Sequence, residues 1–266
     1  MAFDGQVVLV GCGRLGSAIV EGWLTTGAVD PTRLSILTPS DKPAAEAARR
    51  QGAVINPPPE ALAQADLLVL AVKPAVWRGI AQPLAQNFAH AATVVSVMAG
   101  TRTSQIAEVF SDHPIARVMP TTAVAQARGV AALWATGEGA RTAAHALFDP
   151  MAEVVDLDDE RHIDVATAVA GSGPAYVHAF THALALAGQA SGLDADAAIA
   201  LARGAVRSAA ASAQGNRTLE ELIAEVASPG GTTEAGLKAL NASTALDDAV
   251  QAAVAAALLR ARQLSG

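Results

Sequence analysis

The chain has 266 residues, a formal net charge of −7 and 52% hydrophobic but only 3% aromatic residues. High apolar content with modest charge excludes a disordered protein, and the acidic balance without any basic run argues against a nucleic-acid partner. The single cysteine, Cys12, excludes a disulfide scaffold and a cysteine-based zinc site. The 64 alanines predict helices that pack closely through small side chains.

The sequence also lacks the usual signals for membrane insertion or export. No stretch of 18 or more apolar residues is free of charges and breakers, so no membrane span is predicted. Residues 1–5 carry no basic region followed by a long apolar run, so no signal peptide is predicted. We therefore expect a cytoplasmic protein without a membrane partner.

The first half of the chain alternates short apolar runs with helical patterns. Runs that are apolar throughout are typical of buried parallel strands, and strand–helix–strand repetition predicts an α/β fold with a mostly parallel sheet. The predicted strands are residues 7–10, 34–37, 67–72, 93–98, 115–119, 129–134 and 154–157. Helical patterns between them include residues 15–25, 42–50, 76–89 and 103–110.

The pattern changes near residue 158, because no convincing strand follows from Asp159 to Gly266. Alanine-rich helical segments separated by glycine and proline breaks replace the strands. These segments are residues 163–170, 175–191, 195–214, 219–226, 232–241 and 244–264. The sequence thus predicts two domains, an α/β domain over 1–157 and an all-helical domain over 158–266.

A glycine motif follows the first predicted strand and opens the first helix. Gly11, Gly13 and Gly16 fit the G-x-G-x-x-G pattern, in which the glycines allow a tight turn, close approach of a pyrophosphate and helix-on-strand packing. The helix N-terminus adds N–H groups and a positive dipole end. This context predicts a Rossmann-like dinucleotide site over a plain strand-to-helix turn.

The end of the second strand bears on which dinucleotide binds. An NAD-selective site usually has an acidic residue there, but this strand ends at Thr38, Ser40 and Lys42, which could bind a 2′-phosphate. NADPH is therefore favoured, and NADH stays possible because Asp41 is close by. Alternatively, Ser40 and Asp41 cap the next helix.

The loops after the later strands should line the same crevice, where small residues and proline suit a flat ring lying against backbone. These loops are residues 71–74, 96–100 and 119–122. The predicted cofactor-contacting residues are Gly11, Gly13, Arg14, Leu15, Gly16, Thr38, Ser40, Ala71, Val72, Lys73, Pro74, Met98 and Ala99.

A second glycine-rich break lies among the helices at residues 228–234. Two glycines and three hydroxyls precede a helix there, so backbone N–H groups could converge on an anion such as a small carboxylate. A helix end capped by serine or threonine is the alternative. His178 and His182 share a helix face, but without an evident third ligand no metal site is predicted.

Six motifs occur in order along nearly the whole chain. They are residues 10–16, 71–74, 96–100, 117–120, 171–176 and 228–233. With these motifs the sequence resembles the pyrroline-5-carboxylate reductases. The last two motifs are the most specific, since they lie outside the region shared by dinucleotide-binding domains.

The resemblance implies an N-terminal Rossmann-like domain and a C-terminal all-helical dimerisation domain that interlocks with a partner's, as a homodimer or a larger oligomer built from dimers. It implies hydride transfer from NADPH to the C=N carbon of 1-pyrroline-5-carboxylate, which gives L-proline. The active site would lie between the cofactor domain of one subunit and the helical domain of the other. Carried over, the carboxylate contacts are Ser228, Gly230, Gly231 and Thr232, and Thr233 matches the catalytic threonine that hydrogen-bonds the ring nitrogen.

Three positions depart from the family pattern. Thr121 and Ala123 stand where the family usually has asparagine and proline, and Pro58 replaces an asparagine that touches the adenosine half of the cofactor. The departures at Thr121 and Ala123 keep open a non-catalytic NADP-binding sensor, and a reductase of another cyclic imine acid is a second alternative. A β-hydroxyacid dehydrogenase is disfavoured, because no lysine lies near residues 171–174.

Overall fold

The computed structural model describes residues 3–88, 91–213 and 215–264, and it contains two compact units. The chain passes from the first unit to the second between Gly171 and Ser172, and it returns to the first between Ala255 and Ala256. Some predictions lie outside the described residues. They are the predicted helix ends at residues 89 and 214 and the outermost residues of the two predicted domains, 1–2 and 265–266.

The first unit is built on an eight-stranded sheet with the strand order β3-β2-β1-β4-β5-β6-β7-β8. Every neighbouring pair is parallel except β6 and β7, so the predicted mostly parallel sheet is confirmed. The strands are β1 (Val7–Val10), β2 (Leu34–Leu37), β3 (Val54–Ile55), β4 (Leu67–Leu70), β5 (Thr93–Ser96), β6 (Ile115–Pro120), β7 (Gly129–Ala135) and β8 (Ala152–Asp156). All seven predicted strands are present. The two-residue β3 was not predicted, because it is too short to produce a pattern.

Helices cover both faces of this sheet, and the strands are buried on both sides accordingly. Within β1, Val7 and Leu9 join one core cluster while Val8 and Val10 join the other. The α-helices of this unit are α1 (Arg14–Thr26), α2 (Pro43–Arg50), α3 (Trp77–Ala85), α4 (Thr103–Ala107), α5 (Glu138–Phe148) and α6 (His162–Ala166). Helix α3 ends earlier than predicted and contains Pro83, which cannot donate a helical hydrogen bond.

The second unit is all-helical, as predicted, since the structure assigns no strand to the described residues after Asp159. Its helices are α7 (Gly173–Ala190), α8 (Ala195–Ser212), α9 (Leu219–Val226), α10 (Thr232–Leu240) and the first part of α11 (Ala245–Leu264). Ala185, Ala198 and Ala202 are buried where α7 packs on α8. Many large apolar side chains of this unit are nevertheless exposed, among them Phe180 at 49% and Leu201 at 61%.

The compact units divide later than the predicted boundary between residues 157 and 158. The reason is a buried ion-pair network in the first unit. Arg117 on β6 is 2% exposed, and its guanidinium nitrogens lie 3.1 Å from a Glu160 oxygen and 3.4 Å from an Asp164 oxygen. Glu160 also accepts hydrogen bonds from the Thr103 N–H at 2.7 Å and hydroxyl at 2.9 Å. These bonds keep α6 with the sheet.

A five-residue π-helix, Thr167–Gly171, follows α6 where a continuous α-helix over residues 163–170 was expected. π-Helical segments are rare in proteins, and those that occur often lie at functional sites. This one directly precedes the glycine-rich motif that begins at Gly171.

Within the described residues, no individual helix combines the length and hydropathy that a bilayer crossing requires. One strongly bent pair, Thr232–Leu240 with Ala245–Gln263, meets the criteria jointly on length and composition.

An imidazole ties α5 to the edge strand β8. His145 lies between the Asp149 carboxylate at 2.8 Å and the Asp156 carboxylate at 3.0 Å. Partial burial opposes its positive charge, but the hydrogen bonds to the two carboxylates outweigh burial and raise the pKa of His145 above its ordinary value.

A group with a raised folded-state pKa stabilises the fold fully below its unfolded pKa and loses that contribution as pH rises through the folded pKa. The stability advantage of the native chain over His145→Gln should therefore shrink as pH rises from about 5.5 through and above the ordinary histidine pKa of about 6.5, by up to roughly 1 kcal/mol. Urea unfolding of both proteins across this range measures it. An advantage that is constant or grows with pH would contradict the assigned interaction.

Candidate functional site

Four parallel strands end at one edge of the sheet, and the predicted cofactor segments follow them. Val10 pairs with Leu37 on one side and Leu70 on the other, and Leu70 pairs with Ser96. The Gly11 N–H then donates to the Leu37 carbonyl at 2.9 Å. The structure thus brings residues 11–16, 38–40, 71–74 and 98–99 to the crevice that binds ligands in doubly wound folds.

The three glycines of the motif have different roles. Gly11 has φ +98°, and a Cβ there would lie 2.6 Å from the Ala71 carbonyl oxygen. A Cβ on Gly16 would collide with the Gly11 carbonyl oxygen. A Cβ on Gly13, in contrast, would meet no atom within 4 Å. The fold itself requires Gly11 and Gly16, whereas Gly13 leaves open space at the start of α1.

That space lies before helix N–H groups that lack intrahelical partners. Gly13 is the N-cap of α1, it provides no side-chain acceptor, and the first turn contains no acidic residue. Arg14 is exposed at the first helical position, and Leu15 beside it is half-buried. The donor set and the open space together fit a pyrophosphate.

A cavity of about 230 Å³ lies at the end of β2. Its lining residues are Thr38, Pro39, Ser40, Asp41, Lys42, Ala45, Glu46, Arg49, Ile55 and Asn56. The predicted residues Thr38, Ser40 and Lys42 therefore come together. The Thr38 side chain is buried and its hydroxyl donates to the Ser40 carbonyl at 3.0 Å, so it shapes this turn and does not offer that proton to a phosphate.

The alternative that Ser40 and Asp41 cap the next helix is wrong. The N-cap of α2 is Lys42, no side chain caps it, and Pro43 occupies the first turn. Ser40 and Asp41 are both exposed in the wall of the cavity.

Among the cavity residues that sequence reasoning missed, Arg49 and Asn56 matter most, as a cation and as an amide in its wall. Arg49 pairs with Glu46 at 2.9 Å and adds a second cation to that of Lys42. The spacing of Lys42, Glu46 and Arg49 places them on one helix face, which is the signal that could have revealed Arg49. Asn56 gives no comparable sequence signal.

The remaining edge segments offer mainly backbone and small side chains. Ala71, Val72 and Ala99 are half-buried, Met98 is buried and Lys73 is exposed, with Pro74 starting a 3₁₀ turn. Thr121, which stands where an asparagine was expected, is buried and its hydroxyl accepts from the Val130 N–H at 3.3 Å. Its side chain therefore serves the β6–β7 pairing.

The second predicted site is a turn in the helical unit. Gly230 has φ +72°, and the Gly231 N–H donates to the Ser228 carbonyl at 3.0 Å. A Cβ on Gly231 would lie 2.9 Å from the Ser228 carbonyl oxygen, too close for a backbone atom, so this position needs glycine. Gly231 is the N-cap of α10 without a side-chain cap, and Thr232 and Thr233 form the first turn.

Glu234 closes this turn on its other side. Its carboxylate accepts from the Gly230 N–H at 2.6 Å and pairs with Lys238 at 2.8 Å. The hydrogen bond from Lys238 lowers the pKa of Glu234 most, and the bond from Gly230 lowers it further. The predicted Gly230 donor is thus engaged in this conformation. The N–H groups of Thr232 and Thr233 have no intrahelical partner and lie beside three exposed hydroxyls, those of Ser228, Thr232 and Thr233.

Comparisons with known proteins agree with both halves of this description. Residues 160–264 match the family model for pyrroline-5-carboxylate reductase dimerisation, and residues 6–100 match the model for NADP oxidoreductase, coenzyme F420-dependent. The first model begins near the predicted domain boundary at residue 158, ahead of the compact-unit boundary after Gly171. The α/β and helical halves both have their counterparts in known families.

Relatives extend the match to the full length. A Glycine max pyrroline-5-carboxylate reductase is 32% identical, with 96% of this chain and 94% of that one covered. The solved Coxiella burnetii pyrroline-5-carboxylate reductase has a TM-score of 0.89 at 27% identity over 99% and 100% of the two chains. The Plasmodium falciparum pyrroline carboxylate reductase solved with NADP bound shares the fold, with a TM-score of 0.83 at 23% identity over both full chains. Because a curated relative is 32% identical over 96% of this chain, the chain belongs to the pyrroline-5-carboxylate reductase family.

Proposed function

We propose that the chain reduces 1-pyrroline-5-carboxylate to L-proline with NADPH, as a cytoplasmic homodimer. The observation that carries the proposal is the turn at the start of α10, which offers N–H groups and hydroxyls, while its carboxylate, Glu234, is already bound by the Gly230 N–H and Lys238. A protonated cyclic imine is already electrophilic, so its reduction needs positioning more than proton abstraction. Oxidation of an alcohol would need a free base, whereas the Glu234 carboxylate is held by its contacts to Gly230 and Lys238.

The sheet edge would hold the dinucleotide. The N–H groups at the start of α1 and the space beside Gly13 would bind the pyrophosphate. Ser40, Lys42 and Arg49 would bind the 2′-phosphate in the cavity at the end of β2. When bound, the nicotinamide supplies the hydride that reduces the C=N carbon.

The turn of the helical unit would bind the substrate. The N–H groups of Thr232 and Thr233 and the Ser228 hydroxyl would hold the carboxylate at the positive end of α10. Gly230 and Gly231 shape the turn that presents these groups. The Thr233 hydroxyl would hydrogen-bond the ring nitrogen, which keeps its proton as the carbon accepts the hydride.

Dimerisation accounts for the exposed apolar surface of the helical unit. Side chains such as Phe180, Leu201 and Val226 are 49%, 61% and 65% exposed in the single chain. Contiguous exposed apolar surface marks interaction sites, and the family model matching this region describes dimerisation. Larger assemblies built from such dimers are compatible with the same surface.

Removal of the Thr233 hydroxyl tests the substrate site. Thr233→Ala should lower kcat about 10- to 100-fold, because a hydrogen bond to a charged group contributes roughly 1.5–3 kcal/mol. NADPH affinity should not change, and Thr233→Ser, which keeps the hydroxyl, should retain most activity. Steady-state kinetics with NADPH titration checks this, and an unchanged kcat in the alanine variant would refute the role of Thr233.

A further inference from the structure

Asn56 clamps the end of β2 from the neighbouring edge strand. The β2–β3 pairing ends with Ile36 opposite Ile55, and the Asn56 N–H extends it by donating to the Ile36 carbonyl at 2.9 Å. The Asn56 side-chain oxygen then accepts the Thr38 N–H at 2.9 Å, and its amide nitrogen donates to the Thr38 carbonyl at 3.0 Å. The Asn56 carboxamide thus pairs with both the backbone N–H and the carbonyl of Thr38, as the backbone of a neighbouring strand residue would.

The backbone of Asn56 makes this pairing possible. Its φ of +51° is a left-handed conformation that asparagine tolerates better than most residues. The chain turns away there, so only the side chain reaches Thr38. Because Thr38 is 7% exposed, its N–H and carbonyl would otherwise need other partners.

The clamp extends into the wall of the cavity at the end of β2. Asn56 fixes the Thr38 backbone, and the Thr38 hydroxyl fixes the Ser40 carbonyl at 3.0 Å. Ser40, Lys42 and Asn56 all line the same cavity of about 230 Å³. The position of the Ser40–Lys42 segment therefore depends on a side chain that is distant in sequence.

We propose that Asn56 is a positioning residue that sets the preference of this chain for a 2′-phosphorylated dinucleotide. The inference rests on the proposed use of NADPH. Asn56 acts through Thr38 and Ser40, so its loss should weaken contacts to the 2′-phosphate and spare those to the pyrophosphate, which Gly13 and α1 provide at the neighbouring strand end.

Two variants separate the amide from the backbone conformation. Asn56→Gly keeps the left-handed backbone accessible and removes the amide. Asn56→Asp keeps the shape, replaces the donor to the Thr38 carbonyl with a carboxylate oxygen and adds a negative charge to the cavity. Asn87→Asp is the matched control, because Asn87 also donates to a backbone carbonyl, that of Pro83, but is half-buried outside this cavity.

The test measures nucleotide binding by calorimetry without any imine. Asn56→Gly should weaken 2′,5′-ADP binding at least about tenfold and Asn56→Asp more, while 5′-ADP binding stays within about twofold in both. In kinetics, the KM for NADPH should rise while kcat and the KM for NADH hold. Asn87→Asp should behave like the parent chain in every measurement.

The outcomes are distinct. Equal weakening of 2′,5′-ADP and 5′-ADP binding, or no change in either, would overturn the role of Asn56. Thermal melting checks that each variant is folded. If either Asn56→Gly or Asn56→Asp does not fold, the nucleotide binding of the other variant still tests the role of Asn56. A chain that binds 2′,5′-ADP in an Asn56-dependent manner but reduces no imine would contradict the proposed function and leave this inference standing.

Discussion

Replacement of Gly13 by valine is expected to abolish NADPH binding while the fold stays intact. A Cβ at this position meets no protein atom within 4 Å, so the substitution creates no clash inside the chain. The added isopropyl group instead fills the space before the first-turn N–H groups of α1, where the pyrophosphate would lie. We expect NADPH affinity to fall at least about 100-fold, since the phosphates lose both space and donors.

Fluorescence titration with NADPH measures this loss, and circular dichroism melting verifies the fold. Gly137→Val is the matched control. Gly137 is also an extended N-cap, that of α5, and a Cβ there likewise meets nothing within 4 Å. The control should bind NADPH normally. Normal binding by Gly13→Val would mean that the dinucleotide does not use this end of α1.

Removal of the Arg117 side chain is expected to be the most destabilising single change considered. Arg117→Ala leaves the Glu160 and Asp164 carboxylates, which are 20% and 7% exposed, without their cation. Breaking a buried ion pair in this way costs about 3–5 kcal/mol. Part of the loss should appear as loosening of α6, because Arg117 on β6 pairs with Asp164 in α6 and with Glu160 directly before it.

Urea unfolding measures the loss in stability, and hydrogen exchange across residues 160–171 locates it. Arg161→Ala is the control. Arg161 neighbours Glu160 in sequence, but its side chain is 83% exposed and pairs with Asp159 outside the buried network. The control should unfold close to the parent chain. If Arg117→Ala were no less stable than Arg161→Ala, the network would not be what holds α6 to the sheet.

Local sequence patterns predicted most of the strands and helices, but they could not predict features that depend on tertiary contacts. The strands at Leu67–Leu70 and Thr93–Ser96 were predictable because buried parallel strands are apolar throughout. Helix α5 was missed, and its N-cap, Gly137, has no capping side chain to mark the start of the helix. The compact-unit boundary moved to Gly171 because Arg117 pairs with residues more than forty positions away.

The candidate site divides in the same way. The glycines and the residue 228–233 turn were visible as spaced motifs, since close backbone approach requires particular residues at particular intervals. Asn56 acts through a bond to Thr38 across 18 residues, and such a pairing exists only once β2 and β3 are adjacent. The engagement of the Gly230 N–H by Glu234 likewise depends on how the turn folds.

The reaction itself provides the most direct test of the account. Purified chain is mixed with NADPH and 1-pyrroline-5-carboxylate, then with the six-membered cyclic imine acid and with hydroxyacids plus NADP, and the nicotinamide absorbance and the amino-acid product are followed together. We expect NADPH oxidation matched mole for mole by L-proline, and no reaction with the hydroxyacids. NADPH binding without oxidation by any imine would contradict it and would favour a non-catalytic NADP-binding protein.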